Sequence, residues 1–316
     1  MKKITITESV AITDITLGAG VLTSPDKDDL LDRYLALGGN CFDTARVYED
    51  GQSDVWLGQW IKERRNRQNI VLCAKGCHPL DPNAMHISRL TPEDIVGDLE
   101  TSLRAIGTDY ADLYLLHRDN PRVPVETIMP ILHKLVATGK TRAIGVSNWT
   151  AGRINEANRF AVVNGLTPFS VSQMHFGLAQ TTPALTTDVT HVTMNDIEYG
   201  WYLENNFPVM AFAAQGKGFF AQVAKGLPLK EWPQKYYGFL PENYRRAERL
   251  IQLAAELGTN VSALAIAYVR DNPLRISALC AFSSLAQFEE SMDVLRFKLT
   301  PEQIAYLEGK GQTHSA

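Results

Sequence analysis

Eight short apolar runs rich in β-forming residues recur along this chain, each followed by a longer stretch with helical spacing of its apolar residues. The runs lie near residues 15–17, 40–43, 70–74, 113–116, 143–146, 169–173, 208–213 and 276–281. No other feature narrows the fold so far. Neighbouring parallel strands need a crossover, and a helix is the usual one, so the alternation predicts a parallel sheet with helices packed outside it. Eight such units predict a closed (β/α)8 barrel of the TIM type, with an open doubly wound sheet as the competing arrangement. The opening residues 3–7 and 10–15, around Glu8-Ser9, read as a β-hairpin expected to cover the barrel bottom. The 316 residues suit one barrel, so residues 1–316 are read as a single domain without linkers or low-complexity tracts.

Local signals support the helical reading. Thr91-Pro92-Glu93-Asp94 offers an N-cap, a proline at the first helical position and acids in the first turn. Thr300-Pro301-Glu302-Gln303 repeats this with a glutamine at the capping-box position. Gly107, Gly139 and Gly258 stand where helices should end. Two long polar stretches, 177–195 and 216–241, follow expected strands. They should therefore lie on the C-terminal face, where barrels carry their chemistry.

Charge and cysteines exclude several classes. A formal net charge of −4 gives no global field toward nucleic acid or an anionic membrane. Cys41, Cys73 and Cys280 lie in apolar runs, and the Cys73/Cys77 spacing has no second pair, so neither a zinc site nor a disulfide framework is expected. The N-terminal residues alternate polar and apolar instead of forming a continuous apolar core, and no apolar run is long enough to span a bilayer. The expectation is a cytoplasmic protein with no membrane or nucleic-acid partner and no metal. Oligomeric state is not legible.

Four ionisable residues fall at adjacent strand ends: Asp43 ends the second run, Lys75 the third and His117 the fourth, and Tyr48 lies in the loop after Asp43. Charged groups are rarely buried without partners, so four at one rim point to chemistry. Reducing a carbonyl needs hydride on carbon and a proton on oxygen. A phenol is a weak acid near neutral pH, and a nearby ammonium favours its ionised form. Lys75 is expected to lower the pKa of Tyr48, Asp43 to hold Lys75, and His117 to orient the substrate oxygen.

The motifs carrying these residues resemble those of the aldo-keto reductase family. They are FDTARVY with Gly51 and Leu57-Gly58, IVLCAKG around Lys75, the run from Asp109 to His117, and Gly145-Val146-Ser147-Asn148. The resemblance extends from Leu17-Gly18 to about Glu308. It implies a (β/α)8 barrel with a nicotinamide cofactor extended across its rim, so the lack of a glycine-rich dinucleotide motif is no objection. It implies Asp43, Tyr48, Lys75 and His117 as a catalytic tetrad, with Tyr48 the general acid. Ser147, Asn148 and Gln173 would hold the nicotinamide carboxamide, and Phe212 would stack on its ring. Gly216, Lys217 and Gly218 replace the family's usual pyrophosphate segment. After the last strand, Ser283, Ser284, Gln287 and Glu290 fall on the positions that bind the adenosine end. Here Ala281 and Gln287 stand where many relatives carry basic residues for the NADP 2′-phosphate. NADP is therefore the family default, with NAD the alternative.

The resemblance implies reduction of a small-molecule aldehyde or ketone to an alcohol. The alternative is a cofactor-binding sensor or regulatory subunit with little turnover, as some relatives of this fold are. Pocket walls are expected from residues 21–22, Trp56, residues 77–80, residues 117–120 and Trp149. The polar rim of His78, Arg118, Asp119 and Asn120 points to a sugar or other hydroxylated carbonyl.

Overall fold

The computed structural model describes residues 1–20, 27–81, 83–186 and 188–310; the expected wall residues Val21 and Leu22 lie outside them. Two short strands, β1 (Lys3–Thr5) and β2 (Ala11–Thr13), pair antiparallel with Ile4 opposite Ile12. The eight expected strands follow as β3 (Ile15–Gly18), β4 (Cys41–Asp43), β5 (Val71–Gly76), β6 (Ala111–Leu116), β7 (Thr141–Ser147), β8 (Val171–His175), β9 (Val209–Phe212) and β10 (Ile276–Cys280). All eight run parallel, and β10 closes on β3, so the sheet is a barrel rather than an open layer. Their residues are almost all buried, as expected of strands with side chains inside and helices outside.

The hairpin is the floor. Ile4, Ile6, Val10 and Ile12 form one apolar cluster with Cys41, Val71, Leu113, Ala143, Val171 and Met210, which lie toward the starts of their strands. That end is filled with hydrocarbon, which leaves the other rim for chemistry.

Helices α3 (Pro92–Ile106) and α13 (Pro301–Glu308) obey their capping signals. In α3 the Thr91 hydroxyl accepts the Asp94 amide at 3.1 Å, and Gly107 closes the helix with φ +77. In α13 both bonds of the Thr300/Gln303 capping box form. Helix α2 (Gln52–Arg64) packs closely on α3: a Cβ at Gly58 would lie 2.5 Å from the Ile106 carbonyl oxygen. Residues 216–241 are more regular than expected of a long loop. They contain α8 (Phe219–Ala224) and α9 (Glu231–Tyr237), held down by buried Phe219, Phe220 and Tyr237. Next come α10 (Pro241–Leu257) and α11 (Val261–Arg270), then α12 (Leu285–Ser291) after the last strand. Among the described residues no single helix is long and apolar enough to cross a membrane. All four cysteines are buried free thiols.

Candidate active site

The second and third barrel strands bring Asp43 and Lys75 together. In their ladder Asp43 is opposite Cys73, and Lys75 is two residues further on, on the same face as Cys73. The Lys75 ammonium donates to Asp43 Oδ2, and both side chains are about 1% exposed. The other carboxylate oxygen of Asp43 accepts a 2.8 Å bond from Gln173 Nε2 across the barrel. Burial is the largest single influence on Lys75 and opposes its charge, but the facing Asp43 carboxylate together with Tyr48 and Cys73 outweighs it and raises the lysine above its usual range.

Tyr48 opens a short 3-10 turn, Tyr48–Gly51, in which Glu49 and Asp50 adopt left-handed φ values of 47° and 53°. An ionic clasp fixes this strained turn. Arg46 donates to the Asp50 carbonyl at 3.0 Å and pairs with buried Asp54 at 3.1 Å. Asp54 also accepts Thr44 and Ser102 hydroxyls, each at 2.7 Å. Glycine suits position 51 because its φ of +90 is rarely adopted by other residues, and a Cβ there would also displace the Arg46 guanidinium, 1.4 Å away. The clasp places the Tyr48 ring 4.9 Å from Lys75 Nζ and, edge to face at 82°, 5.8 Å from His117. On its other side a Cβ at Gly20 would lie 3.2 Å from Tyr48 Cδ2.

His117 follows β6, its amide donating 2.8 Å to the Gly76 carbonyl. Burial, then the nearby Arg118, Lys75 and His78, pushes its pKa well below 6.5, so the imidazole is neutral. His78 stacks edge-on at 4.7 Å and is likewise lowered, to about 4, first by burial. The expected depression of Tyr48 is not found. Lys75 does favour the phenolate, but desolvation is larger and the net shift is upward from 10.0. Tyr48 holds its proton.

Ser147, Asn148 and Gln173 converge beside this group, all buried. Asn148, left-handed at φ 58, donates to Ser147 Oγ at 3.0 Å and accepts the Val192 amide at 3.3 Å. Phe212 ends β9 half-buried, with His175 edge-on at 5.4 Å. From Tyr48, Asp43 and Phe212 a groove of about 570 Å³ runs past Lys217 and Gly218 to Ser283, Gln287 and Glu290.

Several expected residues sit differently. Ser147, Asn148 and Gln173 are buried and none of them lines the groove. Ser284 lies off the groove as the N-cap of α12, accepting the Gln287 amide at 3.2 Å. Gly216 is buried behind the wall, where its φ of +55 makes the turn. Trp149 is fully buried against Phe169 with Arg153 over its ring, so it is core and not pocket wall. Conversely, sequence reading passed over Lys225 and Lys230, which line the groove from the α8–α9 side, and the Arg46–Asp54 clasp. Nothing in local sequence marks a lysine as groove-facing; the arginine and aspartate eight apart around a left-handed turn were the available clue to the clasp.

The fold and rim define a (β/α)8 protein with buried ionisable groups gathered at one end of a long groove. The sequence model of the aldo/keto reductase family matches residues 14–312. The chain is 27% identical to a probable aryl-alcohol dehydrogenase of Saccharomyces cerevisiae, over 92% of this chain and 88% of that protein. It is 28% identical to a norsolorinic acid reductase of Aspergillus flavus, over 89% and 70% of the two chains. It is also 28% identical to an aldo-keto reductase of Aspergillus calidoustus, over 92% and 74%. The chain belongs to the aldo/keto reductase family, and it is an enzyme acting on the alcohol–carbonyl couple.

Proposed function

We propose that this protein reduces an aldehyde or ketone to the alcohol, with NADPH as the reductant and Tyr48 as the proton donor. The observation that carries the reading is the buried Lys75–Asp43 pair set against a protonated Tyr48 and a neutral His117. The groove fits a dinucleotide. Gly20 and Gly218 thin its wall; Ser147, Asn148 and Gln173 are buried off its lining, with Gln173 on Asp43 and Asn148 on the His117 carbonyl, and carry the amide and hydroxyl groups suited to a carboxamide. Lys217, Lys225 and Lys230 supply the positive charge that Ala281 and Gln287 do not, which favours NADPH over NADH. The four free buried cysteines are compatible with a reducing cytoplasm. One domain, residues 1–316, carries the whole site.

When bound, the nicotinamide supplies hydride to the carbonyl carbon. The protein manages the oxygen. The neutral imidazole of His117 donates a hydrogen bond and orients it without giving up a proton. Tyr48 transfers its proton as negative charge develops, and the Lys75 ammonium stabilises the phenolate left behind. Asp43 keeps Lys75 cationic, and Gln173 fixes Asp43 from the far side.

Tyr48→Phe tests the assignment. Turnover on a panel of simple aldehydes should fall by at least ~100-fold, while NADPH binding, followed by quenching of protein fluorescence, persists. Near-normal turnover by that variant would sink Tyr48 as the acid. Wild-type binding of NADPH without reduction of any carbonyl would favour a sensor instead.

A further inference from the structure

Arg46 is held at both ends. The Thr44 amide donates to the Cys73 carbonyl at 2.8 Å and the Arg46 amide to the Lys75 carbonyl at 3.0 Å, so the chain stays bound to β5 beyond the end of β4. The Arg46 side chain then turns back and donates to the Asp50 carbonyl at 3.0 Å. Residues 46–50 thus form a loop that is rooted on the strand of Lys75 and closed by the side chain of its own first residue. Tyr48 lies in the middle of that loop.

The loop needs the closure. Glu49, Asp50 and Gly51 are left-handed in succession, at φ 47, 53 and 90. Only glycine takes that conformation without a steric penalty, so the first two residues are strained. Asp54 aims the guanidinium that holds them. It is buried, and its Oδ2 accepts from Arg46 at 3.1 Å and from the Ser102 hydroxyl of α3 at 2.7 Å, while its Oδ1 accepts the Thr44 hydroxyl at 2.7 Å. The position of the loop is therefore referred to β4 and to α3. A planar guanidinium donates in two fixed directions at once, which suits one carbonyl and one carboxylate better than a point charge does. One side of Tyr48 opens on the groove, so the placement of its ring depends on the turn that carries it.

We propose that Arg46 and Asp54 are positioning residues for proton transfer: they hold the strained loop in the one shape that sets the Tyr48 hydroxyl for the reacting oxygen. The inference rests on the assignment of Tyr48 as proton donor made above. Neither residue touches the reacting atoms; both act through the backbone of residues 46–51.

The test is a double-mutant cycle on the whole protein, read with NADPH and a simple aldehyde. Arg46→Met should lower kcat about ten-fold or more, while KM and the NADPH dissociation constant, followed by protein fluorescence, stay within about three-fold of wild type. Combining Glu49→Gly with Asp50→Gly removes the strain that Arg46 has to hold. In that background the same Arg46→Met step should lower kcat only about three-fold or less. Arg46→Lys keeps a cation for Asp54 but not the fork, and should lose most of what Arg46→Met loses; it carries the same cycle should Arg46→Met fail to fold. Equal losses in the two backgrounds overturn positioning through the strained turn. A lower urea midpoint with unchanged kcat overturns it too, because the ion pair then serves stability alone. Tyr48→Phe separates this inference from the reading beneath it. Normal turnover by that variant overturns the proton-donor assignment and the positioning with it; an inactive Tyr48→Phe beside a kcat indifferent to Arg46 overturns the positioning alone.

Discussion

At the scale of single residues, the site depends on opposed shifts held side by side. Burial pushes Tyr48 up and His117 down, so at neutral pH the phenol is protonated and the imidazole uncharged. The rate of reduction should therefore show no titration between the ordinary values of 6.5 for a histidine and 10.0 for a tyrosine, falling only on an alkaline limb above the latter. An acid limb near 6.5 in kcat/KM would contradict the neutral His117. In Lys75→Met, Tyr48 loses the cation that opposes its desolvation. The alkaline limb should move higher, and kcat should drop by ~100-fold or more, because the phenolate is no longer stabilised. The four residues were legible because ionisable groups at adjacent strand ends are conspicuous. The direction of the Tyr48 shift was not, because desolvation depends on what packs over the ring, and Gly20 and His117 come from other strands.

Among elements, packing overrides propensity at Gly58. An alanine in an exposed helix interior favours the helix by about 1 kcal/mol over glycine. Here the added Cβ would meet the Ile106 carbonyl at the end of α3 at 2.5 Å. Gly58→Ala should therefore destabilise, by roughly 1–3 kcal/mol, seen as a lower urea midpoint with an unchanged slope. An equal or higher midpoint would mean that α2 and α3 separate freely. The caps at Thr91 and Thr300 were readable because they are local in sequence. Helices α8 and α9 were not, since seven residues or fewer give little periodicity and these hold their shape through buried Phe219, Phe220 and Tyr237.

For the whole molecule, the rim gathers histidines kept neutral by burial. His175 is lowered to about 3 first by burial and then by His191, and it bonds Tyr237 at 3.0 Å; His117 is lowered as well. An unfolded chain takes up protons on these residues below 6.5, the ordinary value, while the folded one does not. The unfolded state then binds more protons, so stability is full above 6.5 and declines as pH falls toward about 3. Each buried neutral histidine contributes a slope of about 1.4 kcal/mol per pH unit in that window. The melting temperature should fall steeply from about pH 6.5 downward, and His175→Gln should flatten that fall by removing one such group. An identical slope in the variant would show that His175 is protonated in the fold.

The sequence by itself determined the eight-fold alternation, the helix ends signalled by local capping residues, and the residue types delivered to the strand ends, because all of these depend on neighbours along the chain. Tertiary structure decided the rest. Ring closure, from β10 pairing with β3, chose the barrel over an open sheet. The packing of distant segments set the sign of the Tyr48 shift, turned Ser284 into a cap and Trp149 into core, and brought Lys225 and Lys230 to the groove. Burial and electrostatics depend on what surrounds a group in space, and residues far apart in the sequence supply those surroundings.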